Sequence, residues 1–157
     1  MIFVTVGTHN QSFERLVKKA DEIAGKIGEK VVIQTGHTKY KPKNAESFDF
    51  ASREKMEQLN KEAKIVISHG GAGSIIFALR SGKPVIVVPR LKKFSEHVND
   101  HQLELAKELE REGKVIGVYD IEKLEKAIAS AEKLPPREYE EPPMVKIISD
   151  YLSEVAG

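Results

Sequence analysis

A chain of 157 residues has room for one domain with a genuine core, and its 25 basic and 24 acidic side chains nearly cancel, so no global field steers it toward nucleic acid or bare anionic lipid. The absence of cysteine excludes disulfides, thiolate catalysis and cysteine-ligated zinc. No apolar run approaches the roughly 20 residues that span a bilayer, and the N-terminus opens on strand residues rather than a signal peptide, so the expected compartment is the cytoplasm.

Ile2 to Val6 is an apolar run that predicts the first strand, with Gly7-Thr8-His9-Asn10-Gln11-Ser12 as its exit loop. Phe13, Leu16, Val17, Ala20, Ile23 and Ala24 recur at helical spacing before Gly25 and Gly28. Val31 to Thr35 predicts the second strand, a polar loop runs from Gly36 to Asn44, and Ser47 to Phe50 is a candidate short third strand. Ser52 is placed to cap the next helix, whose buried stripe is Met56, Leu59 and Ala63. Lys55 stands where a capping-box acid would sit.

The stretch from Ile65 to Gln102 organises the rest. Ile65, Val66 and Ile67 suit a parallel strand covered on both faces. The chain then turns through His69, Gly70, Gly71, Ala72 and Gly73, and a helical run starting at Ser74 (Ile75, Ile76, Ala78, Leu79) ends at Gly82 and Pro84. Three glycines in four positions allow positive φ and a close ligand approach. Together with the unpaired N–H groups of a helix start they make a cradle for a phosphate or diphosphate, although a tight turn alone would use the same residues. The next strand, Pro84 to Val88, opens at Pro89 into a loop with Arg90, Lys92, Lys93, Ser95, Glu96, His97, Asn99, Asp100, His101 and Gln102. Both loops would fall at the carboxyl edge of a parallel sheet, where open α/β sheets bind ligands.

Leu103, Leu105, Ala106 and Leu109 predict a helix to Arg111, ended by Gly113, and Val115 to Tyr119 a sixth strand. Asp120 caps a last amphipathic helix with Ile121, Leu124, Ala127 and Ile128 inward. The alternation predicts a Rossmann-like, doubly wound parallel α/β sheet of about six strands over residues 1–134. Residues 135–143 read as a proline-rich linker, and 144–157 as an amphipathic helix with Met144, Ile147, Ile148, Tyr151, Leu152 and Val155 on one face. That face could pack on its own domain or dock on a separate subunit.

His69-Gly-Gly-Ala-Gly-Ser74, followed by Gly82-Lys-Pro84, Pro89 and His101-Gln102, resembles the nucleotide-sugar signature of GT-B glycosyltransferases, specifically the family 28 C-terminal domain. Asn99-Asp-His-Gln-Leu-Glu-Leu-Ala106 and Val4-Thr-Val-Gly-Thr8 are most similar to the small catalytic subunit of split N-acetylglucosaminyl transferases. The resemblance covers roughly residues 1 to 118. It implies the donor half of a two-component inverting enzyme that moves a hexosyl group, N-acetylglucosamine first among candidates, from a UDP-sugar to a polyprenyl-diphosphate-linked acceptor. A membrane-associated partner would hold that acceptor, with the C-terminal helix as a candidate contact, and this chain would be peripheral to the membrane through it.

By the same resemblance Gly7, Thr8, His69, Gly70, Gly71, Gly73 and Ser74 hold the diphosphate, Phe50 and Ala51 lie near the uracil, and Glu96, Asp100, His101 and Gln102 read the sugar. His9 and His69 are the candidate catalytic groups. Each has an alternative: Phe50 as core, Gln102 as a helix cap, His9 as a solvated loop residue. The family's ribose-binding glutamate aligns with Phe77, so ribose must be held otherwise. His97 and His101 stand four apart with no third ligand at fixed spacing, so neither a metal nor any other cofactor is expected. A non-catalytic nucleotide-sugar-binding subunit is the main rival. A dinucleotide oxidoreductase is weaker, since Gly7-Thr-His-Asn-Gln-Ser12 lacks the G-x-G-x-x-G fingerprint.

Overall fold

The computed structural model describes residues 1–135. The expected terminal helix, and all but the first residue of the expected linker, lie outside them. Six strands, β1 (Ile2–Thr5), β2 (Val31–Gln34), β3 (Glu46–Phe48), β4 (Ile65–His69), β5 (Val85–Val88) and β6 (Ile116–Gly117), form one sheet. Its order is β3-β2-β1-β4-β5-β6 and every pairing is parallel. This is the expected doubly wound Rossmann-like sheet.

Alternation along the strands explains how it is held. Ile2, Val4, Ile33, Ile65, Ile67, Ile86 and Val88 point to one face, where α1 (Glu14–Ala24) and α5 (Leu124–Glu132) cover them with Leu16, Val17, Ala20, Leu124 and Ile128. Phe3, Val32, Val66, Val85 and Val87 point to the other, under α2 (Arg53–Glu62), α3 (Ala72–Leu79) and α4 (His101–Arg111). A side-chain period of two on strands buried on both sides requires this pair of cores.

Several boundaries differ from the sequence-based expectation. β3 stops at Phe48 because the Phe50 N–H is taken by Asp49 Oδ1 at 2.6 Å, which leaves Phe50 in the following loop. Helix α3 begins at Ala72, so Ser74 is its third residue rather than its first. Helix α4 starts at His101, whose N–H is met by Asn99 Oδ1 at 3.0 Å. β6 is cut to two residues, with the Gly117 N–H turned to Glu110 Oε2 at 2.6 Å. Two caps stand where expected: Ser52 Oγ accepts from Lys55 N at 3.2 Å, and Asp120 Oδ1 from Glu122 N at 3.1 Å, heading a 3₁₀ turn before α5.

A candidate nucleotide-sugar site at the switch point

The strand order reverses between β1 and β4, whose exits therefore diverge and leave a crevice at the carboxyl edge. A cavity of about 260 Å³ lies there. The end of β1 contributes Thr5, Gly7 and Thr8, the β3–α2 connection Phe50 and Ala51, and the β4–α3 turn His69, Gly71, Gly73 and Ser74. Phe50, taken as core or base platform from sequence, is 43% exposed and meets His37 edge-on at 5.0 Å between ring centroids. A second cavity of about 230 Å³ shares Thr5, Gly73 and Ser74 and continues to Arg53, Asn60 and Phe77.

The glycines here serve different ends. Gly7 has φ +79°, and a Cβ on it would stand 2.4 Å from His69 Nε2. A Cβ on Gly71 would meet His69 Cε1 at 2.2 Å, and one on Gly70 would meet Gln102 Cβ at 2.6 Å. These three are required by the protein's own packing. Gly73 is not: it lies in α3, lines the cavity, and its Cβ would meet nothing within 4 Å. The fold itself does not need glycine at position 73.

His69 is buried, and its Nδ1 accepts from the Gly71 N–H at 3.1 Å with Gln102 Nε2 a second donor at 3.3 Å. The ring proton therefore resides on Nε2, which donates to Ser74 Oγ at 3.1 Å. That leaves the Ser74 hydroxyl proton for another acceptor. Burial, reinforced by the Arg90 guanidinium, pushes the imidazole down to about 3, so it stays neutral. Neutral, and with its lone pair occupied, His69 has no base to offer in this arrangement; its Nε2–H holds the Ser74 hydroxyl.

Gln102 is also recast. Its Oε1 accepts from Gly70 N and Arg90 N, both at 3.0 Å, clasping the β4–α3 turn to the β5–α4 loop. With one Nε2–H turned to His69, the amide oxygen and one of its two N–H groups are used by the fold, and none of these contacts caps α4. Glu96 is likewise buried: it grips Arg15 with both oxygens, at 2.9 and 3.0 Å, and accepts from Leu91 N at 3.1 Å. Asp100 is exposed and accepts from Lys92 N at 2.9 Å, while His101 lies 3.3 Å from Glu104. None of these four expected sugar readers lines the cavity, and neither does His9.

Two buried residues escaped the sequence reading. Gln34 Oε1 accepts from Thr5 Oγ1 at 2.7 Å and from Val6 N and Gly7 N, both at 3.1 Å, while its Nε2 donates to the carbonyls of Gly7 and Asp49 at 3.0 and 2.9 Å. A lone amide closing an apolar strand was the available signal. Arg90, which the sequence sets beside Lys92 and Lys93 in the loop after β5, is fully buried. It donates to the carbonyls of Val6 (2.8 Å), Gln11 (2.7 Å) and Glu96 (3.0 Å) and lies 4.9 Å from the Phe13 ring centre. Nothing in the local sequence marks it. Among the described residues no group of three or more His, Asp or Glu is placed to hold a metal ion, and no helix is long and apolar enough to cross a membrane.

The profile of the Glycosyltransferase family 28 C-terminal domain matches residues 1–154. The UDP-N-acetylglucosamine transferase subunit ALG13 of Mus musculus is 38% identical over 122 residues, covering 71% of this chain and 10% of that protein. The Homo sapiens protein of the same name is 37% identical over 123 residues, with the same coverage of both. The chain thus spans about a tenth of the length of these relatives. Among solved structures, the NMR solution structure of ALG13 matches with a TM-score of 0.65 at 20% identity, covering 94% of each chain. The glycotransferase of kitacinnamycin matches with a TM-score of 0.62 at 18% identity, covering 99% of this chain and 39% of that one. At such identities these likenesses speak to the fold.

Proposed function

The chain belongs to the glycosyltransferase family 28 C-terminal domains, and from that premise we propose that it is the donor-binding, catalytic half of a two-component inverting hexosyltransferase. The donor is a UDP-sugar, with N-acetylglucosamine the sugar favoured by the names of its relatives. The acceptor is a polyprenyl-diphosphate-linked molecule held by a membrane-associated partner subunit.

One observation carries the reading: Gly73, which the fold does not require, leaves open space at the N-terminus of α3 beside a serine whose hydroxyl proton is unclaimed. A diphosphate seated there receives the free N–H groups of the first helical turn and the Ser74 hydroxyl, in the favourable field of the helix dipole. Each such bond to a charged oxygen contributes about 1.5 to 3 kcal/mol. Because negative charge grows on the departing UDP, these donors bind the transition state better than the ground state, which is catalysis by preorganisation. The Gly7–Thr8 turn closes the other side, and Phe50 and Ala51 receive the uracil. With Phe77 at the ribose position, Arg53 and Asn60 are the polar side chains lining that end. His69 has no lone pair to offer as general base, and this reading places that base on the acceptor half.

The test is isothermal titration with UDP, UDP-N-acetylglucosamine, UDP-galactose, UDP-glucuronic acid and NADH. Micromolar to millimolar UDP binding that is lost in Ser74→Ala is the expected result, with the order of the sugars naming the donor. Binding of NADH without UDP would overturn the proposal. Turnover by the assembled pair that survives Ser74→Ala would instead favour a non-catalytic binding subunit.

A further inference from the structure

His9, His69 and His97 lie near enough to feel one another's charge, and His101 acts on His97 in turn. His9, on the β1–α1 loop, and His97, on the β5–α4 loop, face each other with ring centroids 4.5 Å apart and planes tilted by 33°. Both rings are partly exposed. Each has its Nδ1 engaged from within its own loop: His9 accepts from Gln11 N at 3.2 Å, and His97 from Asn99 N at a longer 3.4 Å. In the neutral rings the proton therefore sits on Nε2, making both imidazoles donors rather than bases. Beneath them is Arg90, fully buried, whose Nε–H and the neighbouring Gln11 Oε1 are the buried side-chain atoms without a partner among the described residues. Neither histidine lines the donor cavity, yet His9 directly follows Thr8, which does.

We infer that His9 and His97 form a second phosphate-binding position, separate from the α3 cradle, which takes the phosphate or diphosphate of a ligand other than the nucleotide. Two N–H donors from opposite loops over a buried cation suit an oxyanion, and burial, with that cation's help, disfavours charge on the pair while the position is empty. Burial and then Arg90 hold His9 below its ordinary value, and burial, His9, Arg90 and His101 do so for His97, against a smaller opposing effect of Asn99. An arriving phosphate reverses that balance and draws protons onto the rings. The inference rests on the proposed transferase reading, in which the acceptor carries such a group. The adjacency of the two positions then sets the acceptor head beside the donor diphosphate.

The experiment follows the imidazole nitrogens and backbone amides of the full chain by NMR, first with UDP, then with inorganic pyrophosphate added to the UDP-saturated protein. UDP should move the amides of Gly70 to Ser74. Pyrophosphate should then move the Nε2 signals of His9 and His97 and raise their titration midpoints by about one pH unit, while leaving the UDP-shifted amides in place. In His97→Phe, which keeps a ring against His9, the pyrophosphate response of His9 should weaken about tenfold or more, with amides outside the two loops unchanged as the check on folding. The inference falls if pyrophosphate displaces UDP without touching the two rings, or if UDP alone produces the whole histidine response, since the donor's own phosphates would then fill the position. Should UDP not bind, the transferase reading fails. Pyrophosphate is then added to the free protein, where a histidine response without one at Ser74 sustains the second position and its absence ends it.

Discussion

Gly71 and Gly73 stand two apart in one turn and are glycine for opposite reasons. Gly71→Ala drives a Cβ into the buried His69 ring and should cost about 1 to 3 kcal/mol of stability, read from the denaturant midpoint. Gly73→Ala should leave stability within about 1 kcal/mol of the parent and weaken UDP binding by about tenfold or more, about 1.4 kcal/mol or above in calorimetry. A variant that folds well and does not bind isolates the ligand's need for space from the protein's. His69 carries a pH signature as well. Its folded value near 3 lies below the unfolded value of 6.5, so below pH 6.5 the unfolded chain binds a proton that the folded chain refuses. Its contribution is complete above 6.5 and lost as pH falls toward 3, at about 1.4 kcal/mol per pH unit. Parent protein should therefore lose about 2 kcal/mol through this group between pH 6.5 and 5, and His69→Asn should have a shallower slope in the same chemical denaturation series.

At the scale of elements, the site consists of loops fastened to one another by buried polar side chains. Gln102 ties the β4–α3 turn to β5, Gln34 ties the β1 exit to the β3 exit, and Arg90 ties the β1–α1 loop to the β5–α4 loop. Arg15 reinforces the last clasp through Glu96 and the Pro89 carbonyl, at 3.1 Å for the latter. Removing any one clasp strands buried donors or acceptors, each worth about 1 to 3 kcal/mol. Gln102→Leu should lose at least about 2 kcal/mol and also weaken UDP binding, because Gly70 and the His69 ring are released together. Arg90→Met, which leaves three carbonyls without a donor, should cost at least about 3 kcal/mol; thermal and chemical unfolding check both. A further clasp lies away from the site. Asp21 on α1 accepts from Lys43 N, Asn44 N and Ala45 N at 2.8 to 3.0 Å and from Tyr40 Oη at 2.8 Å, anchoring the β2–β3 crossover. Burial alone would raise its carboxyl, but these donors outweigh it and hold it below the usual range.

For the whole molecule, the proposed function gives this one Rossmann-like domain one side of a reaction that needs two. The isolated chain should bind UDP and show no sugar transfer, and transfer should appear when the acceptor-holding subunit is added; product assays with and without that subunit decide it. Turnover by the isolated chain would place the base and the acceptor pocket within this chain.

The sheet was legible in the sequence because strands covered on both faces announce themselves as β-branched runs, and parallel connections leave few topologies. The glycine turn was legible for a local reason, since three glycines between a strand and a helix have few other uses. The polar residues were not. Glu96, Gln102 and Arg90 look like solvated loop residues until the fold brings Arg15, Gly70 and the Val6 carbonyl to them from 32 to 84 positions away. His9 and His97 meet only because the loops leaving β1 and β5, on either side of β4, converge at one edge. Periodicity and backbone freedom are properties of neighbours along the chain, so the sequence by itself determined the layered α/β sheet and the glycine turn between β4 and α3. Whether a carboxylate, amide or imidazole faces a ligand or the protein depends on partners distant in sequence, and only the tertiary structure decided that.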